Sequence, residues 1–438
     1  MKKKLITFFV GVFALAFLAA CGGGGAATPP AAADTPAAPA AQAPAAADTA
    51  DADDTVEGAT ITFWHWDINM QEAYELLFAE FYNRTGVTVE QSVVPWADYW
   101  PNLATALPAG GGPDIMWMNH PNSVTYMPTG LLLDLTDFNI DMSGIPSALY
   151  APYIFEGRLY GVAVFFDTIA LFYNKDIFDE AGVPYPPHRG WTWDELREAA
   201  IALTYRSGGE VVRYGISFGT HVQGGTNNFI WQNGGEFQNA DRTAFTFDNP
   251  ESLEAIQFWH RLIWEDGVAL NPIEPGWTNF FLNGLTAMEI HGMWRVAPNY
   301  EYLGDRLGIA HLPMRVQEAN TFHSVAHVAN ANTQNLEAVR LFMDFSASQD
   351  AGDLFAPVFL PAHRDSQELW FDNFPNLPTL TVFTEAAEFA RPLPIAAQNA
   401  GAVWTLVGEE LSRIYQLPEV TMEDLAEISA NITALIHE

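Results

Sequence analysis

Cysteine is all but missing from this chain: Cys21 is the only one in 438 residues, so no internal disulfide can staple the fold. Basic residues are scarce as well. Nineteen Lys and Arg stand against 53 Asp and Glu, and a formal net charge of −34 disfavours nucleic acid or anionic lipid as a partner. No His-Glu-x-x-His motif and no Walker-type glycine loop occur, so zinc hydrolysis and ATP hydrolysis on this chain have no sequence support. His323 and His327 are spaced i,i+4, but they lie on the apparent strand Phe322 to Val328, where such a pair stands about 13 Å apart. Metal ligation and a cofactor are therefore not expected.

What is present begins with three lysines and an apolar run, Leu5 to Ala20, that is short for a membrane span and reads as an export signal, residues 1–20. It closes on Leu18-Ala19-Ala20-Cys21, which resembles a bacterial lipobox, with Cys21 as the residue lipidated after cleavage. Lipidation would also remove the liability of a lone exported thiol. Residues 21–57 are rich in Ala, Pro and Gly with no large apolar side chain before Val56, too little to offset ordering entropy, and prolines at 29, 30, 36, 39 and 44 interrupt any helix. The segment reads as a disordered tether. The remaining 380 or so residues, in a chain 49% apolar and 13% aromatic, suit two domains with sizeable cores.

Thr60 to Trp64 reads as a first strand, followed by a helix with Ala73, Leu76, Leu77 and Phe81 on one face, then a strand from Val87. A helix over Tyr99 to Leu107 and a buried strand Asp114 to Met118 continue the pattern, which implies a parallel α/β sheet. Polar residues gather where strands end, so Trp66, Asp67, Asn119 and His120 are candidates for a common ligand mouth. Asp114 fits a turn role better. Further helices are expected at Pro250 to Glu265, Asn335 to Ser346, Ala400 to Tyr415 and Thr421 to His437, and a capping box, Thr192 with Glu195, opens another.

The order Gly157-Arg158-Leu159-Tyr160-Gly161-Val162, Leu171-Phe172-Tyr173-Asn174-Lys175-Asp176-Ile177-Phe178, Ala181-Gly182-Val183 and Trp191-Thr192-Trp193-Asp194-Glu195-Leu196 resembles the family 1 extracellular solute-binding proteins, the sugar-binding components of ATP-driven importers. Phe81 to Val87, Gly130 to Leu135 and Phe281 to Met288 leading to Gly292-Met293-Trp294 are weaker echoes. The resemblance implies a two-lobed periplasmic-binding-protein fold of type II, with discontinuous lobes hinged around a ligand cleft. It suggests lobes at 58–164 plus 322–385 and at 165–321 plus 386–438. It also implies a monomer that captures a small carbohydrate, closes, and docks on ABC permease subunits from a lipid anchor outside the cytoplasmic membrane or in a periplasmic leaflet.

A sugar site needs flat aromatic platforms for C–H faces and carboxylates or amides for hydroxyls. By resemblance, Trp294 stands at a stacking position and Asp167 where a carboxylate grips hydroxyls. Trp404 on a late helix is a further platform candidate against a packing role, and His323 with Ser324 lies at a lobe edge; Trp191 and Trp193 read as structural. The acidic, aromatic composition leaves polyamines and quaternary ammonium ligands open. Catalysis has one foothold: Gly215-Ile216-Ser217-Phe218-Gly219 matches a nucleophile elbow, but a polar glycine-rich loop follows where an elbow needs a helix. A glycosidase would need two carboxylates across a sugar, which counting acids does not exclude. The expectation is a binding protein with no catalytic residues.

Overall fold

The computed structural model describes residues 56–219, 224–273, 279–396 and 398–438. The export signal, Cys21 and nearly all of the expected tether lie outside them. No helix among the described residues is long and apolar enough to cross a membrane.

Thirteen strands are described: β1 Thr60–His65, β2 Thr88–Val93, β3 Ile115–Asn119, β4 Ile154–Phe155, β5 Arg158–Leu159, β6 Gly161–Asp167, β7 Ile169–Asn174, β8 Tyr205–Ser207, β9 Glu210–Phe218, β10 Thr286–Gly292, β11 Leu307–Ala310, β12 Thr321–Ala329 and β13 Arg391–Pro392. Two sheets result. One has the order β13-β12-β3-β1-β2 with β6 also on β12; the other runs β11-β7-β10-β9-β8. The first sheet lies in one of two hydrophobic cores, the second faces both, with Ala170, Phe172, Leu307 and Ile309 in the first core and Ile169, Leu171 and Tyr173 in the second, and the protein is a two-lobed α/β molecule. The chain passes between the sheets at Thr168, over residues 311–320, and after Pro392, where Leu393 and Ile395 join the second core. Residue 164 falls inside β6, which stays in the first sheet to Asp167.

β1 pairs in parallel with both β2 and β3, so the intervening helix Gln71–Thr85 is a crossover. Its buried face is Ala73, Tyr74, Leu77, Phe78 and Phe81, while Leu76 is exposed. At 100° per residue that stripe centres between positions 77 and 81, which leaves Leu76 outside it. Glu156 and Gly157 both take positive φ, the signature of the two-residue turn closing the β4–β5 hairpin. The Thr192–Glu195 capping box forms as expected at the head of helix Trp193–Leu203.

A buried network fixes the first sheet against that crossover helix. Ser346 Oγ donates to the Phe342 carbonyl, so it accepts from His327 Nδ1 at 2.9 Å, and His327 Nε2 is left to accept from the Tyr74 hydroxyl at 2.6 Å. Trp117 Nε1 donates to the same hydroxyl. The histidine is thus held neutral, and burial pushes its pKa down to about 3.

Candidate functional site

Strand alternation builds the site. Trp117 and Asn119 share one face of β3, Phe165 and Asp167 one face of β6, and His323 and Val325 one face of β12. Because β12 lies between the other two, the register sets His323 beside Asp167, and Val325 beside both Phe165 and Asn119. These six side chains line one wall of a cavity of about 320 Å³, together with Trp66, Asp67, Trp96 and Phe359. Trp294, just beyond β10 of the other sheet, completes it. An adjoining cavity of about 210 Å³ shares Asp67, Trp294 and Phe359.

Of the residues expected from the sequence, Trp66, Asp67, Asn119, Asp167, Trp294 and His323 come together there. His120 and Trp404 are not among the lining residues. His120 is buried at the first position of the helix that Asn119 caps, and burial with nearby positive charge takes its pKa down to about 3. Trp404, on helix Ala400–Ile414, packs on the second core, which is the packing role weighed against it. Trp96, Trp117, Phe165, Val325 and Phe359 are additions. Period-two counting back from Asn119, Asp167 and on from His323 would have found Trp117, Phe165 and Val325; Phe359 follows helix Gln349–Phe355 and carries no such signal.

The aromatic wall is stiff. Trp66 meets Trp117 edge-to-face at 4.7 Å and Trp96 at 5.3 Å, with Tyr99 and Trp100 packed around it. Asp67 Oδ1 accepts from the Asn69 backbone N–H and side-chain amide at 3.0 and 2.8 Å, and burial raises its pKa. Asn119 Oδ1 likewise caps helix His120–Tyr126. Local caps therefore orient both side chains. His323 Nδ1 lies 3.0 Å from Asp167 Oδ2, and its Nε2 is buried without a partner. In the neutral ring Nδ1–H donates to the carboxylate, which leaves Nε2 as an acceptor for a ligand hydroxyl.

Trp294 is positioned by Gly292. A Cβ added to Gly292 would stand 1.9 Å from Cζ3 of the indole, so the ring lies flat against that glycine's Cα. The backbone there has φ −83°, which alanine adopts without strain. Gly292→Ala should therefore displace the indole while leaving the fold intact. The expected loss of affinity is about tenfold or more, the equivalent of one contact of about 1.4 kcal/mol. Isothermal titration of the cognate ligand checks it, and unchanged affinity would separate Trp294 from binding.

Ser217 lies inside β9, buried, with Oγ near Thr286 Oγ1 and the Met288 carbonyl at 3.3 and 3.4 Å. A serine in a continuous strand is not an elbow nucleophile, so that foothold for an esterase is removed.

An α/β molecule of two lobes, with an aromatic and carboxylate-bearing cavity to which both sheets contribute, is a receptor of the periplasmic-binding type. The chain belongs to the bacterial extracellular solute-binding proteins, whose family model matches residues 67–353, more than half of its length. These are non-enzymatic substrate-binding components of ABC transporters. A maltotriose-binding protein of Pyrococcus abyssi is 26% identical over 380 residues, covering 82% of this chain and 78% of that one. In fold, the chain is similar to an ABC substrate-binding protein from Listeria monocytogenes solved with cycloalternan, with TM-score 0.80 and 23% identity over 86% of this chain and 99% of that one. It is similar also to a maltose/maltodextrin-binding domain from Bdellovibrio bacteriovorus bound to maltotriose, with TM-score 0.75 and 19% identity over 87% and 100% of the two chains.

Proposed function

We propose that this protein captures a small carbohydrate between its lobes and presents it, closed, to the membrane subunits of an ABC importer. The observation that carries the reading is the cavity itself. Indoles supply flat apolar faces, and Asp67, Asn119, Asp167 and His323 supply acceptors and donors along the rim. At about 320 Å³ the cavity sits at the lower end of small-molecule pockets, roughly 300–1,000 Å³, which favours a mono- or short oligosaccharide. Relatives that bind maltotriose support the class of ligand.

Ligand contact with both lobes favours the closed arrangement by differential affinity, and closure is the signal the permease reads. The lipobox-like Leu18 to Cys21 supports an exported lipoprotein, a monomer tethered to the outer face of the membrane through lipidated Cys21; metabolic labelling with palmitate tests the anchor.

A thermal-shift screen of mono- and oligosaccharides, polyamines and betaines tests the ligand class. A sugar should raise the melting temperature with rising concentration as mass action requires. A response to betaines or polyamines alone would replace carbohydrate by a cation held in the same aromatic box.

A further inference from the structure

Beside β11, at one edge of the second sheet, two histidines and a glutamate converge outside the ligand cavity. His188 follows helix Lys175–Ala181, His311 follows β11, and Glu385 lies in the short helix Val382–Ala386. Both imidazole Nε2 atoms lie 2.9 Å from the same carboxylate oxygen, Glu385 Oε2, and all three ligand atoms fall within 4.8 Å of one another. The two rings stand at 84° with centroids 5.2 Å apart, so the two Nε2 atoms, each donating its N–H to the carboxylate, reach it from different sides.

The segments carrying these residues are fixed. His311 N–H donates to the His188 carbonyl at 3.0 Å, and Thr192 bridges Met314 in parallel a few residues on, so the two histidine loops run as a short ladder. Helix Val382–Ala386 is tied to the chain crossing by Thr168 Oγ1, which donates to the Phe383 carbonyl at 2.9 Å. Arg189 is the nearby cation, and Glu318 engages it through two hydrogen bonds of 2.6 Å, which neutralises its charge next to the cluster.

We propose that His188, His311 and Glu385 bind a divalent first-row transition metal, zinc in the first instance, which staples the crossings between the lobes. Two imidazoles and one carboxylate are a sufficient zinc donor set, with a fourth position for water. Zinc distances of about 2.0–2.2 Å place tetrahedral donors about 3.3–3.5 Å apart, so the two 2.9 Å nitrogen–oxygen contacts must open by a few tenths of an ångström and the two imidazole nitrogens, within 4.8 Å of each other, must draw together on binding. Imidazole with carboxylate selects zinc over calcium or magnesium, which prefer all-oxygen shells.

The test uses the full-length protein after chelator treatment, titrated calorimetrically with zinc chloride, with cobalt(II) absorption as the spectroscopic readout. One equivalent should bind at micromolar affinity or better, raise the melting temperature, and give the visible bands of low-coordinate cobalt. His188→Ala, at a half-exposed ring, and Glu385→Gln, which keeps hydrogen-bonding capacity, should each weaken zinc binding by more than about tenfold and abolish the cobalt bands. Circular dichroism in chelator should show both variants folded. Absence of saturable zinc binding, or equal binding by wild type and both variants, would leave only a hydrogen-bonded triad and overturn the proposal. The sugar response is a separate measurement, so failure of one reading leaves the other standing.

Discussion

Trp294→Ala should lower affinity for the cognate sugar by about 30- to 1,000-fold, the roughly 2–4 kcal/mol lost when a central aromatic anchor is truncated. The size of the effect follows from its place. Ten of the eleven lining residues belong to the first sheet and its flanking segments, whereas Trp294 alone comes from the turn after β10 in the second. It packs against both hydrophobic cores, so it is also the lining residue through which bound ligand would draw the second lobe inwards. Removing it deletes a stacking platform and the differential contact that favours closure. The unliganded protein should remain folded, because Trp294 is only partly buried and its 3₁₀ turn is anchored by buried Met293. Calorimetry gives the affinity and circular dichroism the fold, with Trp264→Ala as a control for loss of an exposed indole. Wild-type affinity in Trp294→Ala would remove the two-lobed grip from the proposal.

Much of this was legible in the residues, and the exceptions share a cause. Strands β1, β3, β6 and β12 and the capped helices announce themselves by local pattern, since period, caps and turn glycines are short-range properties. Asp67 and Asn119 are visible because each follows a strand and caps what comes next. Trp117 lies in the strand whose pattern reads as buried, and it is core by burial, but it also lines the cavity beside residues of adjacent strands. That dual role depends on the order β6-β12-β3, in which a strand more than 150 residues downstream is inserted between two early ones. No window of sequence carries that adjacency. Phe359 was invisible for the same reason, as was the convergence of His188, His311 and Glu385 from three separated segments.

Acidification should unfold this protein in a window set by its histidines and opposed to what its charge suggests. His65, His120 and His327 are buried, and burial takes their pKa values down to about 4, 3 and 3. The unfolded chain takes up these protons near pH 6.5 and the folded chain does not, so stability is complete above pH 6.5 and falls as pH drops towards about 4. Glu289 works the other way: burial raises its pKa to about 7, so the folded state gains a proton there before the unfolded one does. Among these four groups three protons against one leave a net of about two, on the order of 3 kcal/mol per pH unit. Against a typical stability of about 5–15 kcal/mol, a drop from pH 6.5 to 4.5 consumes a large share. Relief of self-repulsion in a chain of net charge −34 predicts the reverse, but most carboxylates titrate below this window. Thermal melts from pH 7.5 to 4.5 decide between them. The melting temperature should be flat above pH 7 and fall steeply below 6.5, and His327→Gln, less stable at pH 7, should show a shallower slope by about one proton. A melting temperature that holds or rises between pH 6.5 and 5 would mean that burial does not keep these rings neutral in the folded state.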